Sequence, residues 1–134
     1  MTFASREGLA LEEDVPLAPR TTLELGGRAR YFVTALSDRD VEDALALARA
    51  RQLGAWALGS GSNVVVPDAG VDGVVIAMAT HGIQMRRDGA DVLVDAAAGE
   101  PWDALVVKSL PVNIVSAPPT EISKDARGLS QEHF

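Results

Sequence analysis

The sequence contains no cysteine among its 134 residues. Without a thiol the chain can form no disulfide, no thiolate nucleophile and no sulfur-ligated zinc or iron-sulfur centre. Aromatic residues are also scarce, at 4% of positions, so alanine, valine and leucine must fill the core of a chain long enough for one domain. No apolar run reaches the roughly 18 residues of a membrane span, and the opening residues lack the basic and apolar segments of a leader. We therefore expect a soluble, cytoplasmic protein.

Basic residues are fewer than acidic residues. The chain has 12 lysines and arginines against 19 acids, a formal net charge of −7. A surface of this sign repels nucleic acids and anionic membranes, so we expect neither as a partner. The two histidines, His81 and His133, have no carboxylate at ligand spacing, and Asp68 and Asp72 are interpreted as turn formers because the other ligands of a calcium loop are missing. No metal site is predicted.

The clearest element signal is a helix that begins after Ser37. The Ser37 hydroxyl can accept hydrogen bonds from first-turn amides, and acids follow it where the positive end of a helix favours them. Apolar residues then recur at helical spacing on one face: Val41, Ala44, Leu45 and Ala48. We expect Gly54 to end this helix, because glycine readily adopts the left-handed conformation that closes a helix.

Strand signals lie on both sides of this helix. Residues 1–20 show no sustained period, so we expect only an arm laid over the domain or a partly disordered segment there. Residues 21–36 favour two extended pieces joined at Gly26-Gly27, of which the second, 29–35, is the better strand. Apolar runs predict further strands at 55–58, 64–66 and 74–78, and the unbroken hydrophobicity of the last indicates a strand that is covered on both faces.

The remaining signals complete a mixed α/β pattern. Asp88-Gly89 predicts a hairpin between residues 83–86 and 91–97. A second helix is expected near Pro101, with an apolar face formed by Trp102, Leu105 and Val106. The predicted fold class is α/β (α+β), a mixed sheet with flanking helices.

The segment that points to chemistry is Leu58-Gly59-Ser60-Gly61-Ser62-Asn63. Its glycines let backbone amides turn toward one point, and serine and asparagine add donors, which together can hold a phosphate or pyrophosphate. A simple glycine turn between strands is the alternative. Three valines follow Asn63, so the segment is neither a dinucleotide fingerprint nor a P-loop, both of which open a helix. Gly26-Gly27 is either a second place where backbone meets a ligand or a tight bend.

Several segments, in order and spacing, resemble one enzyme family. These are VPLAPRTTLELGGRARYFV, ALGSGSNVVVPDAGVDGVVI and VDAAAGEPWDALV. They are similar to the N-terminal part of UDP-N-acetylenolpyruvoylglucosamine reductase (MurB), from about Val15 to about Val107. The resemblance implies part of an FAD-binding domain of the vanillyl-alcohol-oxidase (PCMH) type. It also implies that the cofactor-binding residues Leu58, Gly59, Ser60, Gly61, Ser62 and Asn63 hold the FAD pyrophosphate.

The resemblance further implies an oxidoreductase. Members of this family pass a hydride from NADPH to FAD and then to UDP-N-acetylglucosamine enolpyruvate, giving UDP-N-acetylmuramate for peptidoglycan synthesis. After residue 110 the chain departs from the family pattern, which continues with a glycine-rich stretch and a substrate domain that carries the serine proton donor. We therefore assign no catalytic residue, and we expect the UDP-sugar to bind only a full-length homologue.

The expected organisation has three parts: an N-terminal arm at 1–14, an incomplete FAD-binding domain at 15–110, and a divergent, loosely packed tail at 111–134. Such a chain is a truncated reductase in which activity is doubtful. The alternatives are a non-catalytic nucleotide-binding or interaction module, and an inactive gene remnant. The sequence does not indicate an oligomeric state.

Overall fold

The structure, a computed structural model, describes residues 9–109, so the expected tail and the first eight residues lie outside it. Within that range a mixed sheet has the strand order β1-β2-β4-β3, and β5 and β6 form a separate hairpin. In chain order the elements are β1 Ala10–Pro16, a 3-10 turn Ala18–Arg20, β2 Arg28–Ala35, α1 Asp38–Ala50, β3 Gly54–Leu58, β4 Val71–Met78, β5 Ile83–Asp88, β6 Asp91–Ala96 and α2 Trp102–Ser109.

The first strand corrects the sequence interpretation of residues 1–20. β1 pairs antiparallel with β2, with Leu11 opposite Val33. Acids at 12–14 hide the strand in the sequence, because in β1 they lie exposed on the edge of the sheet and only Val15 is buried. Charged side chains on an edge strand discourage pairing with a second molecule. The FAD-binding domain was expected to begin at Val15, and this strand begins five residues earlier.

The central strand β4 confirms the prediction of a strand covered on both faces. It runs parallel to β2 on one side and to β3 on the other. On one face Val75 joins a buried cluster with Val15, Leu17, Ala29, Phe32, Leu58 and Val66. On the other face Val74 and Ile76 join a cluster with Tyr31, Val33, Ala35, Ala44 and Ala48. Ala44 and Ala48 belong to α1, and their small side chains let the helix approach the sheet closely.

The helix α1 begins as the sequence predicts. The Ser37 hydroxyl accepts a hydrogen bond from the Asp40 amide at 3.3 Å, and the Asp40 carboxylate accepts one from the Ser37 amide at 2.9 Å. This reciprocal pair is a capping box. The Leu36 amide donates to the same carboxylate at 2.9 Å, and this bond is the main reason that the pKa of Asp40 lies below its ordinary value.

The predicted end of α1 is wrong. The helix ends at Ala50, and Gly54 instead opens β3. The left-handed residue after the helix is Gln52, with a φ of 57°. The Leu53 amide donates to the Ala48 carbonyl at 2.9 Å, which is the long bond of a Schellman motif. A glutamine therefore occupies a position where glycine has less strain.

The predicted strand at 64–66 is also wrong. These residues belong to no strand and pair with none in the described part of the chain. Val66 is 8% exposed and Val64 packs beside it on the cluster around Phe32, whereas Val65 is 79% exposed. The alternation typical of a strand is used here to cover one face of the sheet, and not to extend the sheet.

The observed hairpin and second helix agree more closely with the predictions from the sequence. β5 and β6 pair antiparallel across a two-residue turn that begins at Gly89, whose φ is 63°. The Pro101 carbonyl accepts the first hydrogen bonds of α2, so this proline stands directly before the helix. The expected apolar face is wrong for Trp102, which is 70% exposed. Neither described helix has the length and hydropathy to cross a bilayer.

Candidate functional site

The glycine loop, residues 59–63, lies at the carboxyl edge of the parallel strands. β2, β4 and β3 run in the same direction, so the segments that follow them start at the same edge. Ligands of open α/β sheets bind at this edge. Leu58 is 6% exposed and anchors the start of the loop in the core. The loop that the sequence singled out is therefore fixed at the edge where this class of fold binds ligands.

The backbone of the glycine loop carries free donors. Within residues 9–109, the amides from Ser60 to Asn63 donate no hydrogen bond to a protein acceptor. The side chains of Ser60, Ser62 and Asn63 are exposed, and the Ser60 hydroxyl donates to that of Ser62 at 3.2 Å. Successive backbone amides that converge on one point can bind an anion. The loop therefore offers hydrogen-bond donors that no described residue uses.

The two glycines of the loop serve different purposes. A Cβ at Gly59 would meet no protein atom within 4 Å, so this position opens onto free space. Gly61 is buried with a φ of 74°, and a Cβ there would collide with the carbonyl oxygen of Arg20 and lie 2.9 Å from the Cα of Thr21. The sequence interpretation gave both glycines to a ligand. In the structure Gly61 is required by contact with the protein, and only Gly59 leaves room for a ligand.

A second segment, 20–27, packs beside the glycine loop. The Thr22 amide donates to the Gly61 carbonyl at 3.0 Å, and the Gly27 amide donates to the Pro67 carbonyl at 2.9 Å. A Cβ at Gly26, whose φ is 108°, would lie 2.5 Å from the Cβ of Val66. The glycine pair is therefore explained by a bend packed against the protein. Residues 21–25 form no strand, so the first of the two expected extended pieces is wrong.

The contact between Thr22 and the glycine loop was missed by sequence reasoning. Both TTLELGG and LGSGSN belong to the segments that carry the family resemblance. No local pattern, however, indicates that segments almost 40 residues apart touch each other, and only the pairing of the strands brings them together.

A third group of residues ties the base of the hairpin to the end of β4. The Gly82 amide donates to the Glu100 carboxylate at 2.7 Å, and the Gly99 amide donates to the Thr80 hydroxyl at 3.4 Å. His81 lies 3.6 Å from the Glu100 carboxylate and is mostly exposed, as the sequence interpretation expects of a surface histidine. Sequence reasoning assigned no role to Glu100. The sequence feature that could have identified Glu100 is the segment AGEPWD, residues 98–103, which is part of the family resemblance.

Charged pairs elsewhere offer no metal centre. Asp72 lies in β4 and not in a turn, which corrects the sequence interpretation, and it pairs with Arg30 at 3.0 Å. This contact raises the pKa of Arg30. Asp68 does lie in a turn. Across residues 9–109 no cluster of three or more histidines and acids could bind a metal ion, and His133 falls beyond this range.

An apolar cavity of about 360 Å³ borders the stem of the glycine loop. It lies between β3 and the valine segment, and its lining includes Trp56, Leu58, Val64, Val65 and Val66. A ligand held at the loop amides could therefore place an apolar part against protein on this side.

Comparison with known proteins agrees with this geometry. Residues 29–118 match the family model of the FAD binding domain. UDP-N-acetylenolpyruvoylglucosamine reductase of Pseudomonas aeruginosa is 43% identical over 103 residues, 76% of this chain, and that of Cutibacterium acnes is 41% identical over 99 residues, 73% of this chain. A solved structure of cholesterol oxidase from Brevibacterium sterolicum has a TM-score of 0.58 over 83% of this chain and 22% of its own, at 19% identity.

These matches confirm the resemblance and the fold class predicted from the sequence. The similarity to cholesterol oxidase concerns the fold alone, because the sequence identity is low. The chain spans 30% of the length of the Pseudomonas reductase and 26% of that from Cutibacterium. More than two thirds of each relative therefore has no counterpart in this chain.

Proposed function

We propose that this chain is the FAD-binding portion of a reductase of peptidoglycan synthesis. The premise is that the chain belongs to the FAD binding domain family. The full reaction would be the NADPH-dependent conversion of UDP-N-acetylglucosamine enolpyruvate to UDP-N-acetylmuramate. The names of the similar reductases support this substrate. We further propose NADPH as the reductant and the cytoplasm as the location, as the resemblance to the reductases implies.

The observation that carries the proposal is the row of free amides in the glycine loop. The amides from Ser60 to Asn63 would hold the pyrophosphate of FAD, and the exposed side chains of the loop would add donors. The open space beside Gly59 allows a phosphate to approach the backbone. The residues present therefore fit this part of the cofactor.

The contribution of this chain to the reaction is binding and orientation. FAD, when bound, would supply the hydride-transfer chemistry of such a reductase. The glycine loop would fix one end of the cofactor relative to the sheet, because Leu58 and Gly61 attach the loop to the core. We propose no residue of this chain as proton donor.

The experiment that tests the proposal is replacement of Gly59 by valine. A Cβ there meets no protein atom within 4 Å, and the valine side chain occupies the space beside the loop amides, so FAD affinity should fall at least about tenfold while the fold stays intact. Affinity is measured by quenching of flavin fluorescence, and the fold by circular dichroism. Ala90→Val, at the exposed hairpin turn, places the same isopropyl side chain away from the loop and serves as the control. Equal FAD affinity of wild type and Gly59→Val would reject the site.

A second candidate is a nucleotide-binding module without catalysis, because the amides of the glycine loop that no described residue uses would suit any nucleoside diphosphate. Such a module needs only the diphosphate and the adenosine of its ligand. Titration with ADP separates the two functions. ADP binding as tight as FAD binding indicates the module, whereas a clear preference for FAD indicates that the flavin end is also recognised.

A further inference from the structure

The indole of Trp56 in β3 has one covered side and one open side. A Cβ at Gly54 or at Gly73 would overlap its six-membered ring, so one side of the ring lies on the backbone of β3 and β4. Trp56 is nevertheless 50% exposed, and this exposed surface belongs to the side that faces away from the two glycines. An open indole face can stack with a second planar ring.

The open side of the indole borders the apolar cavity of about 360 Å³ that lies between β3 and residues 64–66. Val64 and Val65 line this cavity as well, and Val65 is 79% exposed, so the cavity opens to solvent beside it. Pockets that bind small ligands have volumes of about 300 to 1,000 Å³. This cavity lies at the lower end of that range, which suits a single bicyclic base.

The charge of the lining favours a neutral ring over a phosphate. Among the described residues that line the cavity, Asp72 alone carries a charge, and its carboxylate pairs with Arg30 at 3.0 Å. The rest of the lining is apolar. A phosphate would lose hydration against apolar walls and would meet a charge of its own sign, whereas an uncharged base gains from burial there.

The cavity and the glycine loop share their boundary residues. Leu58 precedes Gly59 and Val64 follows Asn63, and both Leu58 and Val64 line the cavity. A ring in the cavity is therefore close to a diphosphate at the loop amides. In ADP and in FAD a single ribose separates the adenine from the diphosphate, whereas a longer ribityl chain separates the flavin. The short connection favours the adenine end.

We propose that Trp56 is the base-stacking residue of this site, and that the adenine of a bound nucleotide occupies the apolar cavity while the glycine loop holds its diphosphate. The inference rests on the proposed function for the place of the diphosphate. It adds the residue that makes the site selective for an adenine nucleotide over free diphosphate. Stacking of the base on the indole and burial of both rings supply this selectivity.

The test compares ADP, inorganic diphosphate and adenosine on the full chain, with affinities measured by calorimetry. Wild type should bind ADP about tenfold or more tightly than diphosphate. Trp56→Leu should lower the affinity for ADP about tenfold and that for diphosphate less than about twofold, because it removes the stacking face but keeps an apolar side chain. Trp56→Phe keeps an aromatic ring and should recover part of the ADP affinity. Trp102→Leu removes an exposed indole from α2 and serves as the control that changes neither affinity.

Tryptophan fluorescence tests the contact itself. Trp56 and Trp102 are the two tryptophans of the chain, so Trp102→Leu leaves Trp56 as the only indole that emits. ADP and adenosine should quench this emission, and diphosphate should not. In Trp56→Leu the emission of Trp102 should respond to none of the three ligands.

Three affinity results would overturn the proposal. These are ADP binding no tighter than diphosphate binding, equal ADP affinity of Trp56→Leu and wild type, and equal losses of ADP and diphosphate affinity in Trp56→Leu. Diphosphate binding without quenching of Trp56 by adenosine or ADP would reject the base site and leave the proposed function intact. Quenching by adenosine without diphosphate binding would reject the loop as the diphosphate site and leave the base site standing. No response to any of the three ligands would reject both.

Discussion

At the scale of single residues, Gly59 and Gly61 of one loop have different surroundings, open space at Gly59 and protein atoms at Gly61. Gly61→Ala would force a side chain into a φ of 74° and against the Arg20 carbonyl. We expect it to lower the free energy of unfolding by more than about 2 kcal/mol. Gly59→Ala, which meets no protein atom, should change it by less than about 0.5 kcal/mol. Urea denaturation of both variants measures the difference, and equal stabilities would contradict the assigned contact.

This distinction could not be made from the sequence. LGSGSN predicts a turn with available amides, and the structure has such a turn. The reason for Gly61, however, lies in Arg20 and Thr21, which the sequence places about 40 residues away. Sequence reasoning therefore located the loop. It assigned the space beside Gly61 to a ligand, whereas Arg20 and Thr21 occupy that space in the structure.

The Asp40 carboxylate gives the molecule a pH-dependent contribution to stability. Hydrogen bonds from the Leu36 amide, and then from the hydroxyl and amide of Ser37, hold the pKa of Asp40 below its ordinary value of 3.8. A depressed folded-state pKa stabilises the fold above the unfolded pKa, and this stabilisation is lost as the pH falls through the folded value.

Asp40→Asn should therefore destabilise the protein near neutral pH and have a smaller effect well below pH 3.8. Urea midpoints of variant and wild type at both pH values measure the change. A loss that is equal at the two pH values would show that the carboxylate charge makes no contribution.

Ser37→Ala removes the other half of the capping box and should lower the free energy of unfolding by about 1 kcal/mol at neutral pH.

At the scale of secondary structure, the end of α1 offers a site for stabilisation. Gln52 holds a φ of 57°, a conformation that costs a residue with a Cβ about 1–2 kcal/mol. Gln52→Gly removes that strain but adds freedom to the unfolded chain, so we expect a net gain of roughly 0.5–1 kcal/mol. Thermal unfolding measures it. Gln52→Ala keeps the strain and serves as the control, and a glycine variant no more stable than the alanine variant would contradict this account.

Elements with strong local signals were predictable from the sequence. Ser37 and the spacing of Ala44 and Ala48 define the start and the buried face of α1, and Asp88-Gly89 defines the hairpin turn. Elements that depend on distant partners were not. β1 is a strand only because β2 lies beside it, and residues 64–66 form none because their valines cover a face of the sheet.

Gly54 illustrates the same limit. It is the only glycine near the predicted end of α1, but its place is set by Trp56, whose indole ring lies across Gly54 and its cross-strand partner Gly73. A Cβ at either glycine would overlap this ring. The sequence shows the glycine, and only the pairing of β3 with β4 shows the aromatic side chain that packs on it.

At the scale of the whole molecule, we expect no reductase activity from this chain alone. Purified chain with FAD, NADPH and UDP-N-acetylglucosamine enolpyruvate should oxidise NADPH no faster than free flavin does. The chain spans only 26% to 30% of the similar reductases, and loss of even one active-site donor commonly lowers a rate by about 10² to 10³. Loss of NADPH absorbance measures the rate, and substrate-dependent turnover above the flavin background would show that this chain contains the proton donor.

The contact of Thr22 with Gly61 has a consequence for the order of folding. It joins segments on either side of β2, α1 and β3, so it closes a loop of almost 40 residues, a step whose entropic cost delays it relative to local contacts. A ligand that binds the amides of this loop therefore stabilises a contact that forms after the main barrier. Such a ligand should leave the refolding rate constant nearly unchanged and lower the unfolding rate constant. It would therefore increase the kinetic stability of the native chain.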